Sequence, residues 1–207
     1  MKWEKSRRIK VNRIKAGRPI DAALAIVRRY MRGLFPSVNV DGIEYVSSEC
    51  VIFLNSVTNI VNIIKKSGLK ASDVNIIVAD TEENADMVKK IGKDFEVGTI
   101  PMKGEPHKMV TLCTSTAYAG CDFYSTCAST YVICASNRNC TSVDIGTELQ
   151  QIAGRQRLPQ NKFRDMLTFV YSTSVLDQDE KTFSTQLANK VNITNAMITS
   201  FNGLPDI

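Results

Sequence analysis

The sequence lacks the residues on which several classes of protein depend. It has a single histidine, His107, among its 207 residues, and its six cysteines include no C-x2-C pair. Zinc sites need closely spaced ligands, so we predict no metal site and reduced thiols rather than a disulfide framework. No run of about 18 apolar residues occurs, which argues against a membrane span.

Signals for export and for small-molecule chemistry are also missing. The first residues are charged and include no apolar stretch of the secretory type, so we expect a cytoplasmic protein, or one of a nuclear or viral replication compartment. No glycine fingerprint follows the first apolar strand, and no nucleophile stands near a base. A phosphatase or methyltransferase is therefore poorly supported. The G-x-x-x-x-G-K-[ST] pattern of a phosphate-binding loop is absent too.

Positive charge is concentrated near the start of the chain. The net charge is +5, yet residues 1–32 hold eleven Lys or Arg against two acids. One interpretation is a basic arm that binds a polyanion, most simply nucleic acid. The other is a solvated, partly disordered terminus. Residues 1–18 show little periodicity, and we predict a flexible or docking arm there.

The rest of the chain alternates apolar runs with helical stripes. Continuous apolar runs predict strands buried on both faces. The predicted strands are 50–55, 74–79, 95–100, 109–114, 130–136 and 165–173, with a short one at 43–46. The predicted helices are 19–33, 56–68, 81–92, 142–154 and the region from 176 onward, with Ser56 as an N-cap and Gly68 as a C-terminal stop.

This alternation predicts an α/β fold: a three-layer sandwich with a mostly parallel sheet, helices on both faces and extra helices at both termini. We expect three segments. Residues 1–47 form a basic arm, a helix and a connection, residues 48–175 form the regular body, and residues 176–207 form a helical extension.

Small polar residues follow the predicted strands. Because ligands of open parallel sheets bind at the carboxyl ends of strands, these residues are candidates for anion contacts. They are Asn55, Ser56, Thr114, Ser115, Gly120 and Asp122. A second group, Gln151, Gly154, Arg155 and Arg157, ends the helix that precedes the last strand. Two guanidinium groups there suit a phosphate.

Three segments, "VIFLNS", "TSTAYAGCD" and "QQIAGRQR", occur in the order of motifs IV, V and VI of superfamily 2 helicases. Residues 48–173 thus resemble the second, C-terminal RecA-like domain of that family. The Gln-x-x-Gly-Arg-x-Arg form of the third segment is closer to Dicer-like and herpesvirus origin-binding helicases than to DEAD-box proteins. Leu158 stands where the DEAD-box pattern would have arginine.

The resemblance implies a role for each candidate. Arg155 and Arg157 would be arginine fingers that reach the γ-phosphate of ATP, with Gln151 at the same interface. Residues on the nucleotide side would be Gly120, Asp122 and Gly154, with Asp122 able to contact the third motif. Contacts to a nucleic-acid backbone would come from Asn55, Ser56, Thr114 and Ser115. ATP and Mg²⁺ would be held mainly by a first RecA-like domain, in cis or trans, because this chain has no phosphate loop.

Two functions therefore remain open. The first is the second motor domain of a nucleic-acid-dependent ATPase, inactive alone. The second is a free-standing nucleic-acid-binding module with degenerate helicase ancestry and no role for ATP. Deleting residues 1–18 would abolish binding in the second case and weaken it modestly in the first.

Overall fold

The computed structural model describes residues 8–118, 121–135, 141–172 and 179–202. The chain divides into two compact units, Met1–Ser172 and Thr173–Ile207, and each is described by itself.

Among its described residues, the first unit contains eight strands and four α-helices. The strands are β1 Lys10–Lys15, β2 Ser37–Val40, β3 Ile43–Val46, β4 Cys50–Phe53, β5 Val74–Ile77, β6 Val110–Cys113, β7 Ser129–Cys134 and β8 Met166–Tyr171. The helices are α1 Pro19–Met31, α2 Val57–Ser67, α3 Glu82–Lys89 and α4 Glu148–Ala153. A short 3₁₀ turn, Ser115–Ala117, follows β6.

Six of these strands form one sheet in the order β1-β8-β7-β4-β6-β5, and every pair in it is parallel. The remaining two, β2 and β3, form an antiparallel hairpin. The central strand β4 pairs with both β6 and β7, so Cys50 lies opposite Val110 on one side and Ser129 on the other. The parallel sheet and its flanking helices confirm the expected α/β fold.

Both faces of the sheet are covered by apolar packing. In β4, Cys50 and Ile52 face one core, while Val51 and Phe53 face the other. Helices α1, α2 and α3 close the first core, and α4 with the segment after β6 closes the second. Burial on both faces explains why β4, β5 and β6 are continuous apolar runs without alternation.

Helix α2 begins and ends as its sequence predicts. The Ser56 hydroxyl accepts a hydrogen bond from the Asn59 N–H at 3.3 Å, which satisfies one free donor of the first turn. The helix ends at Gly68, whose φ of 76° lies in the left-handed region that favours glycine. The N-terminal cap fixes the turn between β4 and α2, beside Asn55.

Of the flexible or docking arm predicted over residues 1–18, residues 10–15 are not flexible. They form β1, an edge strand that pairs in parallel with β8 from Lys10 opposite Met166 to Lys15 opposite Tyr171. All six residues of β1 are exposed. Backbone hydrogen bonds hold this strand in the sheet. Because its side chains are exposed, they form no apolar pattern that would identify a strand from the sequence.

Two other expectations need correction. Residues 95–100 form no strand; instead the Gly98 N–H donates to the Ile76 carbonyl at 2.8 Å and covers the free edge of β5. The helix expected over 142–154 is shorter, because residues 144–147 form a turn. The Asp144 carboxylate accepts from the Thr147 N–H at 2.8 Å and stabilises that turn.

The second unit contains α5, Glu180–Asn202. Its start is capped by Asp179, whose carboxylate accepts from the Thr182 N–H at 2.8 Å. That hydrogen bond holds the pKa of Asp179 below its ordinary value. Of the helices in the described ranges, none is long and apolar enough to cross a membrane.

Candidate functional site

The strand-tip site consists of Asn55, Ser56, Thr114 and Ser115, which the fold brings together at the carboxyl ends of β4 and β6. Since the two strands are adjacent and parallel, the loops that follow them meet. The Asn55 side chain accepts a hydrogen bond from the Ser115 N–H at 3.1 Å. This contact ties the two loops together, so Asn55 positions the loop after β6 as well as lying at the tip.

Exposure differs across the strand-tip site. Thr114 is buried, with 6% of its surface exposed, and its hydroxyl lies 3.4 Å from that of Thr116. Ser115 is exposed, while Asn55 and Ser56 are half-buried. Ser115 is therefore the most accessible of the four residues. Thr114 supports the turn from below, and its carbonyl accepts from the Ala117 N–H.

The arginine–aspartate cluster consists of Asp122, Arg155 and Arg157. The Arg157 Nε donates to Asp122 Oδ1 at 2.7 Å, and the Arg155 Nη1 lies 3.6 Å from the same oxygen. One carboxylate thus gathers two guanidinium groups from a segment more than thirty residues away. The arrangement produces a local excess of one positive charge.

A short parallel bridge places these residues opposite one another. Phe123 pairs with Gln156: the Phe123 N–H donates to the Arg155 carbonyl at 2.9 Å, and the Arg157 N–H donates to the Phe123 carbonyl at 3.0 Å. The Phe123 ring is fully buried and meets the Phe53 ring edge-on, with centroids 6.0 Å apart. The core of the sheet therefore holds the backbone of the cluster.

The two arginines differ in their freedom. The Arg155 side chain is 14% exposed, and it donates to the carbonyls of Gln151 at 2.9 Å and Cys121 at 3.2 Å. The Arg157 side chain is 45% exposed, and Asp122 is its partner. Arg155 is thus fixed within the fold, whereas Arg157 can meet a ligand from solvent.

A series of hydrogen bonds connects the strand-tip site to the cluster. The Asn55 side chain contacts Ser115, and the Cys121 thiol lies 3.7 Å from the Thr116 carbonyl as a donor. The Cys121 carbonyl then accepts from Arg155. The described residues of the segment after β6 therefore contact both sites.

The remaining predicted residues are placed as follows. Gln151 is exposed on α4, and it meets the cluster through its backbone carbonyl, which accepts from Arg155. Gly154 ends α4 with its N–H donating to the Gln151 carbonyl at 3.3 Å. Gly120 lies outside the described residues.

Sequence analysis missed the buried residues that support the cluster. Gln156 stands between the two arginines and is 2% exposed, and Asn161, 1% exposed, donates from Nδ2 to the Ala128 carbonyl at 3.0 Å. The same nitrogen lies 3.4 Å from Gln156 Oε1. Buried amides such as these need partners, and a polar residue between two arginines was the available signal.

The thiols of the described residues are free. They are Cys50, Cys113, Cys121, Cys127 and Cys134. Burial raises the pKa of the Cys113 thiol, which keeps it protonated beside the strand-tip site. Within the described ranges, no three His, Cys, Asp or Glu side chains gather as a metal ion would require.

No protein-family model matches this sequence, and no curated protein matches it. Among solved structures, the chain is similar to a CRISPR-associated protein at 14% identity and a TM-score of 0.48, over 86% of this chain and 19% of that one. It is similar to the C-terminal domain of the DEAD-box protein Dbp5 at 12% identity and a TM-score of 0.42, over 96% of this chain and 87% of that domain.

A third similar structure is T. fusca Cas3-ATP, at 9% identity and a TM-score of 0.41, over 86% of this chain and 19% of that one. The chain thus spans about a fifth of the length of the CRISPR-associated protein and of Cas3. Similarities at this level assign no function to the chain.

Proposed function

We propose that this chain is the second motor domain of a nucleic-acid-dependent ATPase of the helicase or translocase type. It would supply an arginine finger and backbone contacts to a nucleic-acid strand. A first RecA-like domain, in cis or trans, would supply the phosphate-binding loop that residues 1–207 lack.

One observation carries the proposal: Asp122 contacts both Arg155 and Arg157. A carboxylate from the segment after β6 and two arginines after α4 are far apart in sequence, and each motif alone is compatible with an ordinary turn. The fold brings them together on a parallel sheet, and hydrogen bonds join them to the strand-tip site. This arrangement supports a domain that couples a bound nucleotide to a nucleic-acid strand.

Their unequal exposures favour different roles for the two arginines. Arg157 is the arginine finger, because its guanidinium is half-exposed and one carboxylate holds it. Arg155 is a positioning residue, because it is nearly buried and pins the Cys121 carbonyl. Gln151 and Gly154 shape the turn at the end of α4 that positions Arg155 and Arg157.

The described residues fit one side of an ATP site. A planar guanidinium suits the γ-phosphate, where it would stabilise the charge that develops in phosphoryl transfer. Mg²⁺ and the remaining phosphate contacts belong to the other domain, because Asp122 is already occupied by two cations. At the strand-tip site, Ser56 and Ser115 offer hydroxyl groups that contact a nucleic-acid backbone without selecting sequence, while their N–H groups already donate to the Leu54 carbonyl and the Asn55 side chain.

The alternative is a free-standing nucleic-acid-binding module, and the exposed basic residues of β1 favour it. Deleting residues 1–18 no longer separates the two functions, since that deletion removes an edge strand of the sheet. Replacing Lys10, Arg13 and Lys15 by Gln keeps the strand and tests its charge.

The test of the proposal is Mg²⁺-dependent ATP hydrolysis. The chain alone should be inactive. Mixed or fused with a RecA-like domain that carries a phosphate loop, it should support hydrolysis that single-stranded nucleic acid stimulates. Hydrolysis by the chain alone would contradict the proposal, as would equal rates with and without this chain.

A further inference from the structure

Two neighbouring helices end in a group of exposed cations. Helices α1 and α2 contact each other and run back from the carboxyl ends of β1 and β4, so both end at the opposite edge of the sheet. We call these residues the helix-end patch: Arg28, Arg29, Arg32, Lys65, Lys66 and Lys70. All six are exposed.

The cations of the helix-end patch stand apart from the ion pairs that the described residues form. Within the described ranges, none of its six side chains forms an ion pair; the arginines that do so there are Arg18, Arg155, Arg157 and Arg164. The acidic side chain nearest in sequence to the patch is Asp73, which accepts from the Ser72 hydroxyl. Positive charge is therefore concentrated at the patch without an ion pair to a described acid.

Helix capping explains only part of this arrangement. Arg28 donates from Nη2 to the Lys66 carbonyl at 2.8 Å, which satisfies an end of α2 and shows that the two helix ends touch. The dipoles of α1 and α2 favour a cation or two at each end. Six cations exceed that need.

The composition of the patch favours nucleic acid over a protein partner. Lysine is depleted in protein–protein interfaces, whereas protein–nucleic-acid interfaces are polar and strongly positive. The strand-tip site, by contrast, lies beside acids that follow β5 and begin α3, including Asp80, Glu82 and Glu83. The helix-end patch therefore carries more exposed positive charge than the surroundings of the strand-tip site.

We propose that the helix-end patch binds the phosphate backbone of nucleic acid at a second surface, separated from the strand-tip site by about the length of α2. That length is about 16 Å for its 11 residues. The inference rests on the proposed function only in taking nucleic acid as the partner. It makes the patch the main source of affinity, while the strand-tip site couples binding to the arginine–aspartate cluster.

The test measures fluorescence anisotropy of labelled single-stranded oligo(dT) and oligo(U) with the full chain. The triple variant Arg32→Gln, Lys65→Gln, Lys66→Gln should bind several-fold more weakly at low salt. Its plot of log Kd against log salt should be shallower by about 2, since each phosphate that is no longer neutralised lowers the slope by about 0.7.

The matched control is Lys89→Gln, Lys90→Gln, Lys93→Gln, which removes the same charge at the end of α3, where Asp86, Asp94 and Glu96 accompany the lysines. The control should keep the parent slope. Equal slopes in both variants would overturn the proposal, because net charge alone would then explain binding. Thermal unfolding by circular dichroism checks that both variants fold.

Two further measurements separate the outcomes. If the patch variant keeps oligonucleotide affinity but loses binding to poly-glutamate, the partner is an acidic polypeptide and the proposal is wrong. Ser115→Glu tests the strand tips in the same assay. If Ser115→Glu weakens binding and the patch variant does not, the patch inference fails while the proposed function stands. If the patch variant weakens binding and Ser115→Glu does not, the result supports the patch and shows that the strand-tip site does not contact the nucleic acid.

Discussion

The arginine–aspartate cluster and the helix-end patch are both rich in cations, yet the fold treats them differently. In the cluster, two guanidinium groups share one carboxylate and their backbone is bridged to the buried Phe123. In the patch, six exposed cations stand at two helix ends without an ion pair among the described residues.

This difference separates two uses of positive charge. A cation held by a carboxylate and a buried backbone is positioned before its ligand arrives, which suits the geometry of phosphoryl transfer. Unpaired exposed cations act over a Debye length and attract a polyanion without fixing its position. The arginine–aspartate cluster therefore depends on precise geometry, whereas the helix-end patch depends only on charge. The following predictions test both statements.

The largest effect is expected for Arg157→Ala in the complete motor. If Arg157 is the arginine finger, ATP turnover should fall on the order of 10³-fold or more. Arg157→Lys should not restore it, because an ammonium lacks the planar fork. The measurement is steady-state ATPase activity.

Arg155→Ala should lower activity as well, but it should also lower the unfolding midpoint, since Arg155 pins the Cys121 carbonyl. A large loss of activity from Arg155→Ala with no loss of stability would reverse the roles of the two arginines.

Next in size is Phe123→Ala, which removes the buried anchor of the cluster. We expect about 3–5 kcal/mol of lost stability in denaturant unfolding, because removal of the fully buried ring leaves a cavity beside Phe53. Phe123→Leu, which keeps most of the volume, should cost much less. Equal losses of stability for Phe123→Ala and Phe123→Leu would show that the shape of the ring, rather than the filling of a cavity, holds the cluster.

A smaller change is expected for Asp122→Asn, which removes the shared negative charge and keeps an acceptor oxygen. Stability should fall by about 1 kcal/mol or less at low salt, because the Asp122 and Arg157 side chains are partly exposed and screened. The loss should shrink as salt rises. A loss that is independent of salt would mean that packing, rather than charge, dominates.

The smallest effect is expected for the patch variant Arg32→Gln, Lys65→Gln, Lys66→Gln on stability. Loss of favourable helix-end charge and relief of mutual repulsion oppose each other, so the free energy of unfolding should change by about 0.5 kcal/mol or less. Denaturant unfolding measures it. A loss of several kcal/mol would show that the patch is structural, and would remove the contrast with the cluster.

Most of the sheet could be predicted because strands that are buried on both faces consist of continuous apolar runs, which are visible in the sequence. Strands β4, β5, β6, β7 and β8 and helices α1 and α2 all follow from such runs and from caps such as Ser56 and Gly68. Strand β1 could not be predicted, since all its residues are exposed and its partner lies about 150 residues away. Residues 95–100 were predicted as a strand, but they cover the edge of β5 without joining the sheet.

The charged residues of the cluster, and a contact of Asp122 with the third motif, could be predicted from the sequence, whereas the supporting Gln156 and Asn161 could not. The motif order identified Asp122, Arg155 and Arg157, whereas their unequal exposure depends on the Phe123–Gln156 bridge, which no local pattern encodes. The position of Asn55 beside the Ser115 N–H likewise depends on which strands are adjacent. The roles of these residues in ATP turnover and strand contact stay predictions.

Strand β1 also constrains how the protein is made. Of the strands in the sheet it is synthesised first, and its partner β8 is the last of them to leave the ribosome. At about 5–20 residues per second, the N-terminal segment waits roughly ten seconds or more before it can dock. Its exposed lysines and arginine are of the type that discourages edge-to-edge aggregation, and its pairing with β8 joins segments about 150 residues apart.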